Sequence, residues 1–134
     1  MGRRTARETA VQLLFESEFH AGGEDTLALT GQEDFEQKDL AYIRQTLSGV
    51  QAELGRIDPL IEKYAAGWAL DRMPKVDKSI LRLAVYEILY TDVPGSVAIS
   101  EAVELAHVFS SDEAVPFING VLGSFLRDYE GGRI

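Results

Sequence analysis

Apolar residues recur at intervals of three and four along this chain, and nothing in it alternates with the period of two that a half-buried strand requires. That pattern restricts the fold to helices packed on helices. It is densest between about Val76 and Thr91. There Ile80, Leu81, Ala84, Val85 and Ile88 line one side of a helix, while Leu83, Tyr86, Glu87 and Tyr90 line another, with Arg82 beside the second strip. A helix apolar nearly all round is either the centre of its bundle or offers one strip to a partner. Spacing alone favours the centre. The carboxylate and two hydroxyls on the second strip resemble a semi-polar contact surface more than a dry core.

The remaining helices follow from the same spacing. The first runs from about Arg4 to Phe19, with Ala6, Ala10, Leu13 and Leu14 on one side, and stops at Gly22 and Gly23. Gly22 to Glu33 reads as a long polar loop. A second helix from about Gln37 to Leu54 carries Leu40, Ile43, Leu47 and Val50 and ends at Gly55. Asp58 and Pro59 have the pattern of an N-cap and first turn for a short third helix ending near Gly67. Trp68 then sits in a connector, where a lone Trp beside apolar helices is expected to plug the packing. Pro94 and Gly95 make a turn, and Ser100 caps a fifth helix with Glu101 and Glu104 in its first turn. Ser110 and Glu113 have capping-box spacing for a sixth, which tolerates Pro116 near its start. That helix bears one stripe of Ile118, Val121, Leu122, Phe125, Leu126 and Tyr129. The chain therefore reads as all-α, a single-domain bundle of about six to seven helices over residues 1–134, with a polar loop near 22–33.

Composition bounds the function. At 134 residues and 46% hydrophobic content the chain can bury a core of its own, and no window approaches the ~20 apolar residues of a membrane span. With no cysteine there are no disulfides or thiolate metal sites, and a cytoplasmic protein is the default. His20 and His107 lie in no metal-ligand spacing, and no nucleophile has a base at motif spacing. Asp112 and Glu113, adjacent acids before an apolar stripe, read as helix-start residues. No catalytic site, metal or cofactor is expected.

Charge is uneven. The formal net charge is -9, yet Arg3, Arg4 and Arg7 crowd into the first seven positions. At a helix N-terminus each arginine faces the positive end of the helix dipole, at a cost of a few tenths of a kcal/mol, so helix stability does not explain them. Planar guanidinium donors and free backbone N–H groups suit phosphate, which makes a nucleic-acid backbone one reading and a solvated terminus the other. The acidic mean field repels phosphate, so any such contact is local. Arg72, Lys75, Lys78 and Arg82 form a second basic cluster that either extends the first or is a solvated helix start. Phe117 falls on the face of the last helix that holds Gly120 and Ser124. A flat base could stack there, or another helix could pack on Gly120 and cover the ring.

Five blocks together resemble the NusB family of bacterial transcription antitermination factors. They are Arg3-Arg4-Thr5-Ala6-Arg7-Glu8 leading into Ala10-Val11-Gln12-Leu13-Leu14, then Val76 through Ile88, Val93-Pro94, Ala98 through Ala106, and Phe117-Ile118-Asn119-Gly120-Val121-Leu122. They span nearly the whole chain in the family's order. The resemblance implies a non-enzymatic helical bundle that binds boxA RNA together with ribosomal protein NusE, within a transcription elongation complex that holds other Nus factors. By position it assigns RNA contact to Arg3, Arg4, Arg7, Phe117 and Asn119, and NusE contact to Asp77, Arg82, Tyr86 and Glu87. Some NusB-like proteins form homodimers that cover the RNA end, so that assembly is implied as well. Val115-Pro116 stand where many relatives carry polar or basic residues. Together with the net charge, that points to NusE as a source of positive charge for RNA binding. The competing reading is a protein-interaction bundle whose arginines touch no RNA.

Overall fold

The computed structural model describes residues 2–19 and 35–134, so the polar loop expected near 22–33 lies outside the described residues. Within them are six α-helices and no strand. We number them α1 (Arg3–Ser17), α2 (Gln37–Ala52), α3 (Leu54–Tyr64), α4 (Lys75–Tyr90), α5 (Gly95–Phe109) and α6 (Ala114–Glu130), with a 3₁₀ turn at Leu70–Arg72 before α4.

α4 is the centre of the bundle, in contact with each of the other five helices. Every residue from Asp77 to Ile88 except Arg82 is buried. Both apolar strips are therefore core up to Ile88, and the second is covered there by the chain's own α1 and α2 rather than held out, while Tyr90 at the helix end is exposed. Ile80, Leu81 and Leu83 are within 1% of full burial, and each contributes about 1.5–3 kcal/mol relative to exposure. Gly49 on α2 lets that helix approach closely, since a Cβ there would lie 2.4 Å from the Tyr86 ring.

Several boundaries differ from the sequence expectation for local reasons. α3 begins at Leu54 instead of after Gly55, and Pro59 falls inside it. Asp58 does not cap: its two carboxylate oxygens accept from Arg82 at 2.9 and 2.8 Å, so a long-range ion pair takes the side chain that capping would need. α5 begins at Gly95, directly after Pro94, which places Ser100 inside the helix. Ser110 ends α5 and donates its hydroxyl to Asp77, while Ser111 accepts from the Ala114 N–H at 3.2 Å and takes the capping role one position later. Trp68 is not a plug. It is 52% exposed, carried on a turn in which Ala66 (φ 46°) and Gly67 (φ 90°) are both left-handed. For Ala66 that conformation costs roughly 1–2 kcal/mol.

Candidate nucleic-acid interface

The first turn of α1 holds Arg3 and Arg4 and no acidic residue, and its Gly2 cap supplies no side-chain hydrogen bond. Its free N–H groups and arginines thus form one positive end. The three arginines nevertheless differ in environment. The Arg3 and Arg4 side chains are 42% and 61% exposed, whereas that of Arg7 is 8% exposed.

Each arginine meets a carboxylate from a distant part of the chain. Arg3 Nε donates to Asp39 Oδ1 at 3.0 Å, and its guanidinium lies 4.4 Å from the centre of the Tyr42 ring, a cation–π distance. Asp39 is buried, and its Oδ2 has no hydrogen-bond partner among the described residues. Arg4 grips Glu101 with both ends of its fork, at 3.2 and 2.8 Å. The hydrogen bond from Arg4, more than burial opposes it, holds the Glu101 carboxyl below its ordinary range.

Arg7 belongs to the interior. Its Nε and Nη2 donate to the two oxygens of Glu87 at 3.0 and 3.2 Å, and Tyr42 donates its hydroxyl to the same carboxylate at 3.2 Å. Burial pulls the Arg7 guanidinium down, but the hydrogen bond and charge of Glu87 outweigh it and the net shift is upward. Burial, and next the negative Glu87, push the Tyr42 hydroxyl above its usual range, so it stays a donor. Glu101 lies 3.7 Å from Arg7 Nη1 and so joins the buried pair to the exposed Arg4. An Arg3–Arg4 surface is thereby fixed on a buried Arg7–Glu87–Tyr42 network.

The four positions assigned to a protein partner do not form a face. Glu87, Tyr86 and Asp77 are buried, by Arg7 and Tyr42, by Gly49 and by Ser110 respectively. Arg82 is held between Asp58 and Glu18, and Lys78 donates to that same Glu18 at 2.9 Å. The second basic cluster thus divides: Lys78 and Arg82 are engaged within the bundle, while Arg72 and Lys75, at the helix start, are exposed. Burial raises the Glu18 carboxyl, but the Lys78 hydrogen bond and the Arg82 charge overcome it, and the shift is downward.

Phe117 and Asn119 lie at the other end of α4 from Arg7. Phe117 lines a cavity with Asp77, ten residues before Glu87 on that helix and therefore roughly 15 Å away along its axis. The arginines and the aromatic motif accordingly form two separate ends, and α5 touches both, through Glu101 at one and Ser110 at the other. Phe117 is half-buried against Trp68, edge to face with ring centres 6.1 Å apart, while Asn119 and Gly120 are exposed. No helix packs on Gly120, beside which a Cβ would meet nothing within 4 Å. The counter-ions Asp39, Glu87 and Glu101 were not visible as such in the sequence, because they lie 36, 80 and 97 positions from their arginines.

Among the described residues there is no group of acids or histidines able to hold a metal, and no helix long and apolar enough to cross a membrane. The model of the NusB family matches residues 4–127. A transcription antitermination protein NusB from Natranaerobius thermophilus is 45% identical over 140 residues, covering 99% of this chain and all of the relative. One from Salinispora tropica is 46% identical over 126 residues, covering 90% of this chain and 92% of the relative. A solved T. maritima NusB superposes with a TM-score of 0.89 at 33% identity, covering 96% of this chain and 92% of that one. A structure of antitermination factors NusB and NusE in complex with dsRNA shares the fold, with a TM-score of 0.83 at 24% identity over 95% and 97% of the two chains.

Proposed function

This chain belongs to the NusB family, and from that premise we propose that it is a non-enzymatic transcription antitermination factor that binds boxA RNA together with ribosomal protein NusE. The observation that carries the reading is the exposed Arg3–Arg4 pair in an acid-free first helical turn, held in place by a buried ion pair beneath it. Arg3 and Arg4 contact phosphate, Arg3 through the guanidinium nitrogens that its Nε bond to the buried Asp39 leaves over, and Arg4 by exchanging Glu101 for RNA oxygens. Arg7 acts through position, since its guanidinium is enclosed with Glu87. Phe117 and Asn119 meet the RNA at the second end.

Asp77, Arg82, Tyr86 and Glu87 influence NusE binding by fixing α4 and the helices around it, because their side chains are engaged within the bundle. NusE supplies positive charge that an acidic chain of net charge -9 lacks. We place the complex in the cytoplasm, in an elongation complex with other Nus factors, and a homodimer that hides the arginine end would be its RNA-free form. Fluorescence anisotropy of labelled boxA RNA, with and without NusE, tests this. Tight binding that needs NusE supports the reading, and no binding under either condition defeats it.

One observation favours the alternative of a protein-interaction bundle without direct RNA contact. All three arginines already have carboxylate partners. On that reading Arg3→Ala and Arg4→Ala leave RNA recruitment by the complex unchanged.

A further inference from the structure

Trp68 is the chain's single tryptophan, and it is 52% exposed. Burying so large a ring is ordinarily favourable, so an exposed one that is held in place asks for a ligand. It is held in place. The left-handed pair Ala66 and Gly67 sets the turn before it, its backbone N–H donates to the Ala65 carbonyl at 3.2 Å, and Phe117 meets the ring edge to face. An edge-to-face contact covers a single ring face in the pair, so flat apolar surface remains.

Two clefts flank the Trp68–Phe117 pair. One, of about 390 Å³, is lined in part by Asp77 and Glu113, whose carboxylates disfavour a nearby phosphate chain. The other, of about 320 Å³, has no charged residue in its lining and runs over Ala66, Pro116, Gly120 and Ser124. Its size is at the lower end for a small-ligand site. Gly120 leaves its floor open, and the exposed Asn119, whose amide can both donate and accept, is the next residue on α6. Arg72, four residues beyond Trp68, is exposed.

We propose that this second cleft is a nucleobase site, in which one unpaired base of the bound RNA stacks on the Trp68 indole on the Gly120 side while Phe117 braces the indole. The proposal rests on the RNA-binding reading above and is continuous with its Phe117–Asn119 end. Stacking needs only a flat apolar face and a neighbouring polar edge, both of which the cleft has, and it tolerates any base. The uncharged lining suits a base better than a basic or acidic peptide, which would leave its charge unpaired there.

Because Trp68 is the only tryptophan, its emission reports this site directly. Unlabelled boxA RNA is titrated into the full chain with NusE present, with a Trp68→Phe variant subtracting all other emission, and labelled RNA anisotropy is read in parallel. The expected result is saturable quenching of the indole at the concentration where anisotropy rises, and a loss of roughly 5- to 150-fold in RNA affinity for Trp68→Ala. Gly120→Met, which fills the open floor without entering the core, weakens RNA binding while helical content and thermal midpoint are held or raised by the loss of a helix-interior glycine. It keeps the test decisive should Trp68→Ala misfold. Normal anisotropy with no quenching and wild-type affinity in both variants overturns the base site and leaves the RNA reading intact. An indole that responds to NusE alone, with NusE affinity lost in Trp68→Ala, overturns it in favour of a protein contact. Absence of RNA binding altogether removes both.

Discussion

The guanidinium of Arg7 and the carboxylate of Glu87 face each other inside the bundle, joined by hydrogen bonds of 3.0 and 3.2 Å and shared with the Tyr42 hydroxyl. Two residues 80 positions apart thereby fasten the start of α1 to the end of α4. Arg7→Ala leaves the Glu87 charge buried with only a phenol for company, and removing one member of such a pair costs about 3–5 kcal/mol. The variant should therefore show a strongly lowered thermal midpoint by circular dichroism. Arg7→Lys keeps the charge but loses the fork geometry, and should fall between the two. An Arg7→Ala midpoint equal to wild type would show that the pair does not hold the bundle.

Gly49→Ala sets two effects against each other. Alanine in a helix interior gains roughly 1 kcal/mol over glycine, but its Cβ would stand 2.4 Å from the buried Tyr86 ring, and overpacking costs about 1–3 kcal/mol. The clash should win, giving net destabilisation in urea unfolding. Combining it with Tyr86→Leu should cost less than the sum of the two single changes. A stabilised Gly49→Ala would mean that α2 and α4 are further apart than described.

Acid should loosen the bundle through its depressed carboxyls. Glu18 and Glu101 both titrate below their ordinary value of 4.5 in the folded chain, despite burial, because Lys78 and Arg82 face the first and Arg4 the second. The unfolded state thus binds protons first as pH falls. The stability these groups contribute is complete above about pH 4.5 and is lost as pH drops through their lower folded values. Thermal midpoints measured from pH 7 to pH 3 should stay level until near 4.5 and then decline. The decline should be shallower in Glu18→Gln. An equal acid dependence in that variant would remove Glu18 from the account.

Helices were legible in the sequence because burial periodicity is local. The stripe of α6 and the all-round apolar character of α4 both survive in the fold, the latter as centrality. Helix starts were less legible wherever a side chain was drawn to a distant partner, as Asp58 is by Arg82 and Ser110 by Asp77. The candidate site divided in the same way. Arg3 and Arg4 are exposed at the start of α1, whereas sequence spacing could not separate them from the buried Arg7, whose carboxylate lies on another helix. Glu87 is charged for an internal reason, its pairing with Arg7, and Tyr86 packs on Gly49, so their chemistry suggested a surface that packing had closed. Trp68 was misjudged because the turn at Ala66–Gly67, which carries it outward, has no signature in apolar spacing.

The central claim is that Arg3 and Arg4 touch RNA while Arg7 holds them in place. It is tested most directly by the salt dependence of boxA RNA affinity, with NusE present, for the wild-type chain and for an Arg3→Ala/Arg4→Ala double variant. Two lost phosphate contacts on a single strand should flatten the slope of log K against log salt by about 1.4, measured well below the thermal midpoint of the double variant, which falls because Arg3→Ala leaves the buried Asp39 without its ion-pair partner. A double variant with wild-type affinity and slope would contradict the claim.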